Sequence, residues 1–439
     1  MEVFLIKALQ LILCFAILIV LHEGGHFFFA RVFKIRVEKF ALFFDPWFKL
    51  FKYKPNNSDT TYVLGWLPLG GYVKISGMID ESMDIKQLEA PVQPWEFRAK
   101  PAWQRLLVMI GGVLVNFVLA FLIYSAILFT WGEKFIPMEK MTGGFVYNKE
   151  AQALGFKNGD IPLGTDATRF DRFDPSIYRS LSQAKEVIVL REGKEVKLAL
   201  PGNLNMLDMI KKEPKFLAPT IPNLVDSVLP NSSAAKEGLQ KGDMVVALNG
   251  QSIQTANEYS TIASTMIGQP LKLVVQHGDN TLDTLTIHPD KNNKIGVVWA
   301  TPQYETATRS YNFFEAIPAG LSHGWKVFTG YISDLKYLFT KDGAESVGSF
   351  GAIGNLFPAS WDWQRFWELT AFISLMLAFM NILPIPALDG GHVFFLLYEV
   401  VTGRKPGDKF MARAETVGMC LLLALMAFAI FNDFRNFVF

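Results

Sequence analysis

The sequence predicts a multi-pass α-helical membrane protein that has four transmembrane helices and a soluble insertion between the second and the third. Half of the 439 residues are apolar, which is at the upper edge of the range for a soluble chain. Four apolar stretches approach the roughly 20 residues that a helix needs to cross a bilayer. They are Val3–Ala30, Leu106–Trp131, Phe366–Leu388 and Ala414–Phe431.

Charge and cysteine content exclude several classes of protein. The 42 Lys and Arg residues balance 41 Asp and Glu residues, and no basic tract is interleaved with aromatic side chains, so we expect no nucleic-acid partner. Cys14 and Cys420 lie in apolar runs near opposite ends of the chain and predict neither a disulfide nor a CxxC zinc framework.

The N-terminal stretch resembles an export signal, but it lacks a small-x-small cleavage site and is interpreted as a retained span.

Basic residues predict how the spans are oriented. Twelve Lys and Arg residues lie from Arg31 to Arg105, and four more lie in the short loop between the last two spans. Because basic loops stay in the cytoplasm, both termini are expected to point outward and the segment 132–365 to lie outside.

The external segment contains an internal repeat. The strings ALGFKNGD, ending at Asp160, and KEGLQKGD, ending at Asp243, share a Gly-apolar-x-x-Gly-Asp core. The second copy resembles a PDZ domain of the type associated with bacterial proteases, through its order of helix, Gly-Asp turn, strand and Asn-Gly turn. The first copy departs from this pattern after Asp160. We therefore expect two external PDZ-like α/β domains, the first one degenerate.

The predicted chemistry begins within the first span, where His22, Glu23 and His26 lie among apolar residues. Positions i and i+4 of a helix share one face, so His22 and His26 can bind one metal ion beside Glu23. Two neutral imidazoles suit Zn²⁺, which activates water for attack on a carbonyl while Glu23 accepts the proton. An HExxH string also arises by chance, but polar side chains within a span cost several kcal/mol unless they face a cavity and find partners.

A third zinc ligand is expected at Asp389, in the string NILPIPALDGGH. Pro384 and Pro386 break the third span there, and the two glycines after Asp389 allow a tight turn. Broken backbone at membrane depth is tolerated where protein or a water-filled cavity surrounds it, so this aspartate is suited to complete a His, His, Asp site. The alternative is a proline kink with a solvated aspartate at the end of the span. His392 is interpreted as a neighbour of the site or an interface residue.

Three strings together resemble the site-2 protease family of intramembrane zinc metalloproteases. They are HEGGHF in the first span, GGVLVNF in the second and NILPIPALDGG in the third. The resemblance covers nearly the whole chain and is greatest to the members that carry tandem PDZ-like domains and four spans.

The resemblance implies a role for each residue of these strings. The implied zinc ligands are His22, His26 and Asp389. Glu23 would be the catalytic base, and Asn116 and Asn381 would hold the substrate or the oxyanion of the reaction. The family often has a Gly-Pro pair before the second-span asparagine, whereas this chain has Gly111 and Gly112. The match is weaker at this point, without any effect on the metal ligands.

The segment Thr61–Gly77 resembles the membrane-re-entrant β-hairpin of the same family. It is rich in β-forming residues and has too few consecutive apolar residues to cross the bilayer. A peptide bond within a helix is shielded, so a transmembrane substrate must be unwound, and an exposed strand edge could capture it by β-augmentation. The expected substrate-binding residues are Gly70, Gly71 and Tyr72. The alternative is an ordinary cytoplasmic hairpin.

The resemblance implies an enzyme of the bacterial inner membrane that hydrolyses peptide bonds within the spans of single-pass proteins, such as anti-sigma factors or signal-peptide remnants. Its zinc site would face the cytoplasmic side, and its periplasmic PDZ-like domains would admit substrates already trimmed on the outer side. The expected partners are therefore Zn²⁺, transmembrane substrates and membrane lipid. The PDZ-like pair could instead lack any gating role, and the whole chain could be a catalytically inactive PDZ scaffold. A metal-ion transporter is a weaker reading, because the second and fourth spans are nearly free of ionisable residues.

These interpretations divide the chain into five regions. The first two spans and a β-rich region occupy 1–131, and the two PDZ-like domains occupy 132–215 and 216–303. A linker with membrane-surface helices is expected at 304–365, and the last two spans at 366–439.

Overall fold

A computed structural model shows that the chain forms two compact units. The first, called the membrane unit, consists of Met1–Gly132 and Ser310–Phe439, and the second, called the inserted unit, consists of Glu133–Arg309. The structure describes residues 2–78, 91–291, 293–340, 343–344 and 347–438. Small parts of four predicted regions, 1–131, 216–303, 304–365 and 366–439, therefore lie outside the described residues.

The helices of the described residues occur in both units. In chain order they are α1 (Glu2–Val32), α2 (Ala102–Trp131), α3 (Lys149–Ala153), α4 (Ser176–Gln183), α5 (Met206–Lys211), α6 (Ser233–Lys236), α7 (Ala256–Ser264), α8 (Phe313–Asp334), α9 (Phe350–Leu356), α10 (Trp363–Ile382), α11 (Asp389–Thr402) and α12 (Asp408–Val438).

The strands fall into one group before α2 and a larger group in the inserted unit. In chain order they are β1 (Val37–Leu42), β2 (Phe51–Tyr53), β3 (Thr61–Leu64), β4 (Tyr72–Ile75), β5 (Glu133–Pro137), β6 (Phe145–Tyr147), β7 (Ile161–Thr165), β8 (Arg172–Phe173), β9 (Glu186–Arg191), β10 (Lys194–Ala199), β11 (Leu217–Pro219), β12 (Val225–Val228), β13 (Met244–Leu248), β14 (Gln251–Ser252), β15 (Leu271–Gln276), β16 (Leu282–Ile287), β17 (Val297–Trp299) and β18 (Ala307–Arg309).

Among the described residues of the membrane unit, four helices are long and apolar enough to cross a bilayer, which confirms the predicted set of candidate spans. They are α1, α2, α10 and the Lys409–Arg435 part of α12. The helices α1 and α2 begin and end within four residues of the predicted stretches. The apolar faces of α1 and α12 remain largely exposed, as expected of helices that face lipid.

The third predicted span, Phe366–Leu388, is shorter than expected and is followed by a separate helix. Helix α10 ends at Ile382, the segment that contains Pro384 and Pro386 is irregular, and α11 begins at Asp389. The irregular segment folds back tightly onto the start of α11, since a Cβ atom at Gly390 would lie 2.1 Å from the carbonyl oxygen of Leu383. The glycine after Asp389 therefore permits the return that brings the aspartate inward.

Glycine also allows the first two spans to approach each other closely. A Cβ atom at Gly25 would lie 2.3 Å from the carbonyl oxygen of Gly111, and one at Gly111 would lie 2.7 Å from the carbonyl oxygen of Gly25. Gly24, in contrast, has nothing within 4 Å of the same position. Small residues at a crossing let two backbones pack directly, which is the usual arrangement of helices in a membrane.

The strands between α1 and α2 form a four-stranded mixed sheet in the order β2-β3-β1-β4. Strand β1 runs parallel to β3 and antiparallel to β4. The predicted hairpin over Thr61–Gly77 is therefore wrong in its pairing, because its two strands flank β1 and do not bond to each other. Strand β4 is left at one edge of this sheet.

Two further helices of the membrane unit lie in the region predicted to hold membrane-surface helices. Helix α8 starts with a capping box formed by Asn312 and Glu315, and it packs on α2 where Gly320 meets Ser125. Helix α9 is short, and Asp433 of α12 accepts hydrogen bonds from the backbone N–H groups at its start.

The inserted unit consists of two halves with the same order of elements. In the first half α3, β7, α4, β9 and β10 follow one another, and in the second α6, β13, α7, β15 and β16 do so. Strand β9 lies between β7 and β10, and β15 lies between β13 and β16. The pairs β6–β11 and β12–β17 complete the two halves. Strand β11 falls within the predicted region 216–303, yet it pairs with a strand of the first half.

The repeated aspartates have equivalent surroundings in the two halves. Asp160 accepts a hydrogen bond from the backbone N–H of Lys157 and pairs with Arg191, while Asp243 accepts one from Gln240 and pairs with His277. The strand after each aspartate carries a β-bulge at the same place, between Pro162 and Gly164 in one half and between Val245 and Ala247 in the other. The sequence repeat is thus a structural repeat.

Candidate metal centre

Three side chains from two distant parts of the sequence converge within the membrane unit: His22, His26 and Asp389. The Nε2 atoms of the two histidines are 3.3 Å apart. They lie 3.2 and 3.3 Å from Oδ2 of Asp389. The three atoms form a nearly equilateral triangle contributed by α1 and by the first residue of α11.

The spacing and chemistry of these three atoms fit Zn²⁺. A tetrahedral zinc ion with bonds of roughly 2.0–2.1 Å holds its donors about 3.3–3.4 Å from one another. Oδ2 of Asp389 is buried and accepts no hydrogen bond with good geometry from the described residues, although two imidazole nitrogens lie beside it. A shared cation would stabilise such a cluster of acceptors. Three protein donors with space for water are typical of a catalytic zinc site.

Helix α2 passes the two imidazole rings at a residue without a side chain. A Cβ atom added to Gly112 would lie 2.4 Å from Nε2 of His26 and 2.6 Å from Cε1 of His22. Gly112 is the position at which this chain departs from the Gly-Pro pair of the resembled family. Its lack of a side chain leaves the room that the two rings occupy.

Each histidine also has a partner for its second ring nitrogen. Nδ1 of His26 lies 2.8 Å from the carbonyl oxygen of Val108, so it can donate its proton there and leave Nε2 free to bind metal. Nδ1 of His22 lies 3.2 Å from the side-chain amide of Asn116. Both partners belong to α2, which therefore orients the two rings.

Asp389 reaches the histidines because α11 starts at the broken segment. Ala387, two residues earlier, has a φ of +77°, a backbone conformation that residues with a side chain rarely adopt. Helix α11 is also tied to α2 by an ion pair between Glu399 and Arg105, both of which are largely shielded from solvent. These connections hold the aspartate against the two rings.

Glu23 lies beside the triad and faces a cavity of about 710 Å³ that the three ligands also line. Its carboxylate accepts a hydrogen bond from the backbone of Val73, in the edge strand β4. A carboxylate next to a set of metal donors, in a cavity wide enough for water, is suited to accept a proton from that water.

One wall of the cavity carries a polar cluster that the sequence did not suggest. Lys39 Nζ lies 2.7 Å from a carboxylate oxygen of Asp45, and the Tyr72 hydroxyl donates to the other oxygen at 2.8 Å. Lys39 also contacts the Tyr72 hydroxyl. Burial alone would raise the pKa of Asp45, but the hydrogen bonds from Lys39 and Tyr72 outweigh it and hold that pKa below its ordinary value.

The predicted substrate-binding residues occupy different positions. Tyr72 and Asn381 line the cavity, and the Asn381 amide lies 3.4 Å from Nε2 of His22. Asn116 is fully buried behind His22. Gly70 and Gly71 lie against Phe44 and Ile19, so their lack of a side chain allows close packing of the sheet. Substrate binding by these five residues stays a prediction.

The cavity lining also includes a pair that the sequence predicted only in part. His392, one turn after Asp389 in α11, lies 3.5 Å from a carboxylate oxygen of Glu415 in α12. The prediction placed His392 near the site. Glu415 is the second residue of the predicted fourth span, and nothing in the sequence distinguished it from the charged residues just before that span. Its burial in the wall of the cavity is a property of the fold.

Comparison with known proteins identifies the family. The model of peptidase family M50 matches residues 10–425, which is most of the chain. The chain belongs to peptidase family M50. The matched region of this M50 member contains all three candidate ligands, Glu23 and the complete inserted unit.

Individual relatives resemble this M50 member over nearly its entire length. It is 28% identical to "Protease RseP" of Yersinia pestis over 97% of both chains, and 28% identical to "Regulator of sigma-E protease RseP" of Escherichia coli K12 over 99% of both. It is 27% identical to a Vibrio cholerae protein named "Putative zinc metalloprotease" over 97% of both chains. The predicted resemblance to proteases named RseP is thus confirmed over nearly the whole chain.

Proposed function

We propose that this M50 member is a membrane-embedded zinc metallopeptidase that hydrolyses peptide bonds within the spans of single-pass membrane proteins. The convergence of His22, His26 and Asp389 at 3.2–3.3 Å carries the proposal, because these residues come from two separate helices and have the donor spacing of zinc. The names of the relatives, which include a protease and a zinc metalloprotease, support it. An inactive scaffold would have no need of this arrangement.

The residues of the chain divide the proposed reaction between them. Glu23 accepts a proton from the attacking water, whose oxygen adds to the scissile carbonyl carbon, and then delivers the proton to the nitrogen of the leaving amine. The amide of Asn381, near His22 on the cavity wall, is available to donate to the substrate carbonyl oxygen. Zinc, when bound, would supply Lewis-acid polarisation.

The edge of β4 is the proposed docking site for the unwound substrate. It carries Tyr72 and Val73, both of which line the cavity, and the backbone of Val73 already contacts Glu23. An extended peptide that added to this edge would run past the catalytic carboxylate. Since Glu23 lies within a candidate span, we also propose that the segment containing β4 enters the membrane.

The inserted unit is the proposed filter for substrates. We assign PDZ-like character to its two halves on the strength of their common element order. The halves correspond to the predicted regions 132–215 and 216–303, except that β11 belongs to the first half. By the distribution of basic residues they lie in the periplasm, and the zinc site lies toward the cytoplasmic side of the inner membrane. There they would favour substrates whose outer portion has already been shortened.

Anti-sigma factors are the proposed substrate class, because a relative is named a regulator of sigma-E.

The Glu23→Gln variant tests the proposed chemistry. Purified in detergent, the wild-type chain is expected to contain one zinc ion and to cleave a single-pass model substrate with a short outer segment. Glu23→Gln should keep its zinc and its helical content and lose at least 10³-fold in cleavage rate, roughly the loss expected when a catalytic base is removed.

The matched control is Glu2→Gln, the same change at an exposed position of the same helix. This variant should cleave at the wild-type rate. Cleavage by Glu23→Gln at the wild-type rate would contradict the mechanism, and a wild-type chain that neither holds zinc nor cleaves would favour the scaffold.

A further inference from the structure

His22 must carry its proton on Nδ1 if it binds metal through Nε2. A neutral imidazole has one N–H, and the nitrogen that ligates a metal must offer a lone pair. His26 meets this requirement through Val108, whose carbonyl oxygen lies 2.8 Å from Nδ1. The corresponding group for His22 is the side chain of Asn116, at 3.2 Å.

The orientation of the Asn116 amide follows from this requirement. With Nδ2 toward His22, two N–H donors would face each other, and the buried Oδ1 accepts no hydrogen bond from the described part of the chain. The oxygen and nitrogen of an amide are assigned from their partners, since they are nearly identical in size. Turning the amide by half a rotation places Oδ1 against Nδ1–H and converts the contact into a hydrogen bond.

We infer that Asn116 is a positioning residue of the metal centre, which accepts the Nδ1 proton of His22 and so fixes its tautomer and ring orientation. The inference rests on the proposed zinc peptidase function and assigns Asn116 a role different from the predicted binding of substrate or oxyanion. Asn116 has no exposed surface and is absent from the cavity lining, so it acts on the reaction through His22. Groups that hold the second nitrogen of a ligating histidine raise its affinity for metal.

The backbone of Asn116 contacts a third candidate span, separately from the contact between its side chain and His22. The carbonyl oxygen of Asn116 accepts a hydrogen bond from the hydroxyl of Ser374, at 2.8 Å, and Ser374 is itself buried in α10. Asn116 therefore connects three candidate spans: it belongs to α2, its side chain meets α1, and its carbonyl meets α10. The same contact supplies a control, because Ser374 can be changed without altering the amide.

The experiment measures zinc affinity by competition with a chromophoric chelator, on the full chain in detergent. Asn116→Leu keeps the side-chain volume and removes the acceptor, and it should weaken zinc binding by about 10–100-fold. Asn116→Asp keeps an oxygen that accepts from Nδ1–H and should bind zinc at least as tightly as the wild type. Ser374→Ala should bind zinc as the wild type does.

Rescue by Asp separates an acceptor role from a packing role. If Asn116→Leu holds zinc as tightly as the wild type, or if Asn116→Asp loses it to the same extent as Asn116→Leu, the positioning role is overturned and the proposed function stands. If the wild type binds no zinc, both are overturned. Helical content and elution volume report folding, and Asn116→Ala replaces Asn116→Leu should the latter misfold. In the Co²⁺-loaded chain, Asn116→Leu should also shift the visible absorption bands, and Ser374→Ala should not.

Discussion

Gly112 of α2 lies so close to His26 of α1 that a methyl group on its Cα would be 2.4 Å from Nε2 of the imidazole. The ring has no free direction in which to retreat, because its other nitrogen is bound to the carbonyl of Val108 and the side chain is buried. The absence of a side chain at position 112 is therefore a condition for the three candidate ligands to meet.

Gly112→Ala should disrupt the metal centre while leaving the spans assembled. Overpacking of this kind costs about 1–3 kcal/mol, which corresponds to roughly a tenfold to hundredfold loss when the strain falls on the ligand geometry. We expect zinc affinity and cleavage of a model substrate to fall together by this factor, as measured by chelator competition and gel assay. Gly24→Ala, on α1, is the control, since nothing lies within 4 Å of its added Cβ atom. Unchanged zinc affinity in Gly112→Ala would show that the helices can separate at no cost.

The ion pair between Arg105 and Glu399 should contribute to the stability of the membrane unit and to the position of Asp389. Both side chains are largely shielded, and removing one partner from such a pair costs about 3–5 kcal/mol because the other charge is left buried. Arg105→Met and Glu399→Met should each lower the unfolding temperature in detergent and weaken zinc binding. The double variant should recover most of the loss. Additive effects of the two single changes would contradict direct coupling between them.

The features that the sequence predicts well are those set by local pattern and by the bilayer. The length of an apolar run determines whether a helix can span, so α1 and α2 match their predicted stretches closely. The i, i+4 spacing of His22 and His26 determines that they share a helix face, and the proline break marks Asp389. The convergence of these residues depends in addition on the packing of α1 and α11 against α2.

The features that the sequence does not predict depend on contacts between distant segments of the chain. Strand β1 lies between β3 and β4, although a hairpin of the last two was expected, and nothing local to Thr61–Gly77 encodes that insertion. The partnership of His392 with Glu415 and the clearance at Gly112 likewise arise from helix packing. Such pairings are set by tertiary structure, which a pattern within one segment does not contain.

Asp433 should fix the start of α9 against the end of α12. One of its carboxylate oxygens accepts hydrogen bonds from the backbone N–H groups of Ser349, Gly351 and Ala352. These are the groups that a helix leaves unsatisfied at its N-terminus, and a negative charge there is stabilising. Asp433→Leu should increase the hydrogen-exchange rate of these amides by about tenfold or more, whereas Asp433→Asn, which keeps an acceptor, should do so less. Equal protection in all three chains would exclude the capping role.

The pKa of His277, in the inserted unit, should lie above the ordinary value for histidine. The hydrogen bond from its Nδ1 to Asp243, at 2.8 Å, raises the pKa of His277, and the charge of Asp243 acts in the same direction. Because the folded-state pKa is raised, this contact stabilises the inserted unit fully below the ordinary histidine pKa of about 6.5, and the contribution is lost as the pH rises through the folded-state value.

A pH titration of the His277 ring signals by NMR, in the full chain labelled at histidine, measures this shift. Asp243→Asn should return the pKa of His277 toward about 6.5, the ordinary value. Asp279→Asn removes a charge that acts on His277 only through space, and it should lower the pKa less. Since Asp160 pairs with Arg191, which remains charged throughout, the equivalent contact in the first half should be insensitive to pH over the same interval. The backbone N–H of Lys157 donates to Asp160, and that of Gln240 donates to Asp243. If both amides lost protection from hydrogen exchange together as the pH rises through this interval, the difference between the halves would be contradicted.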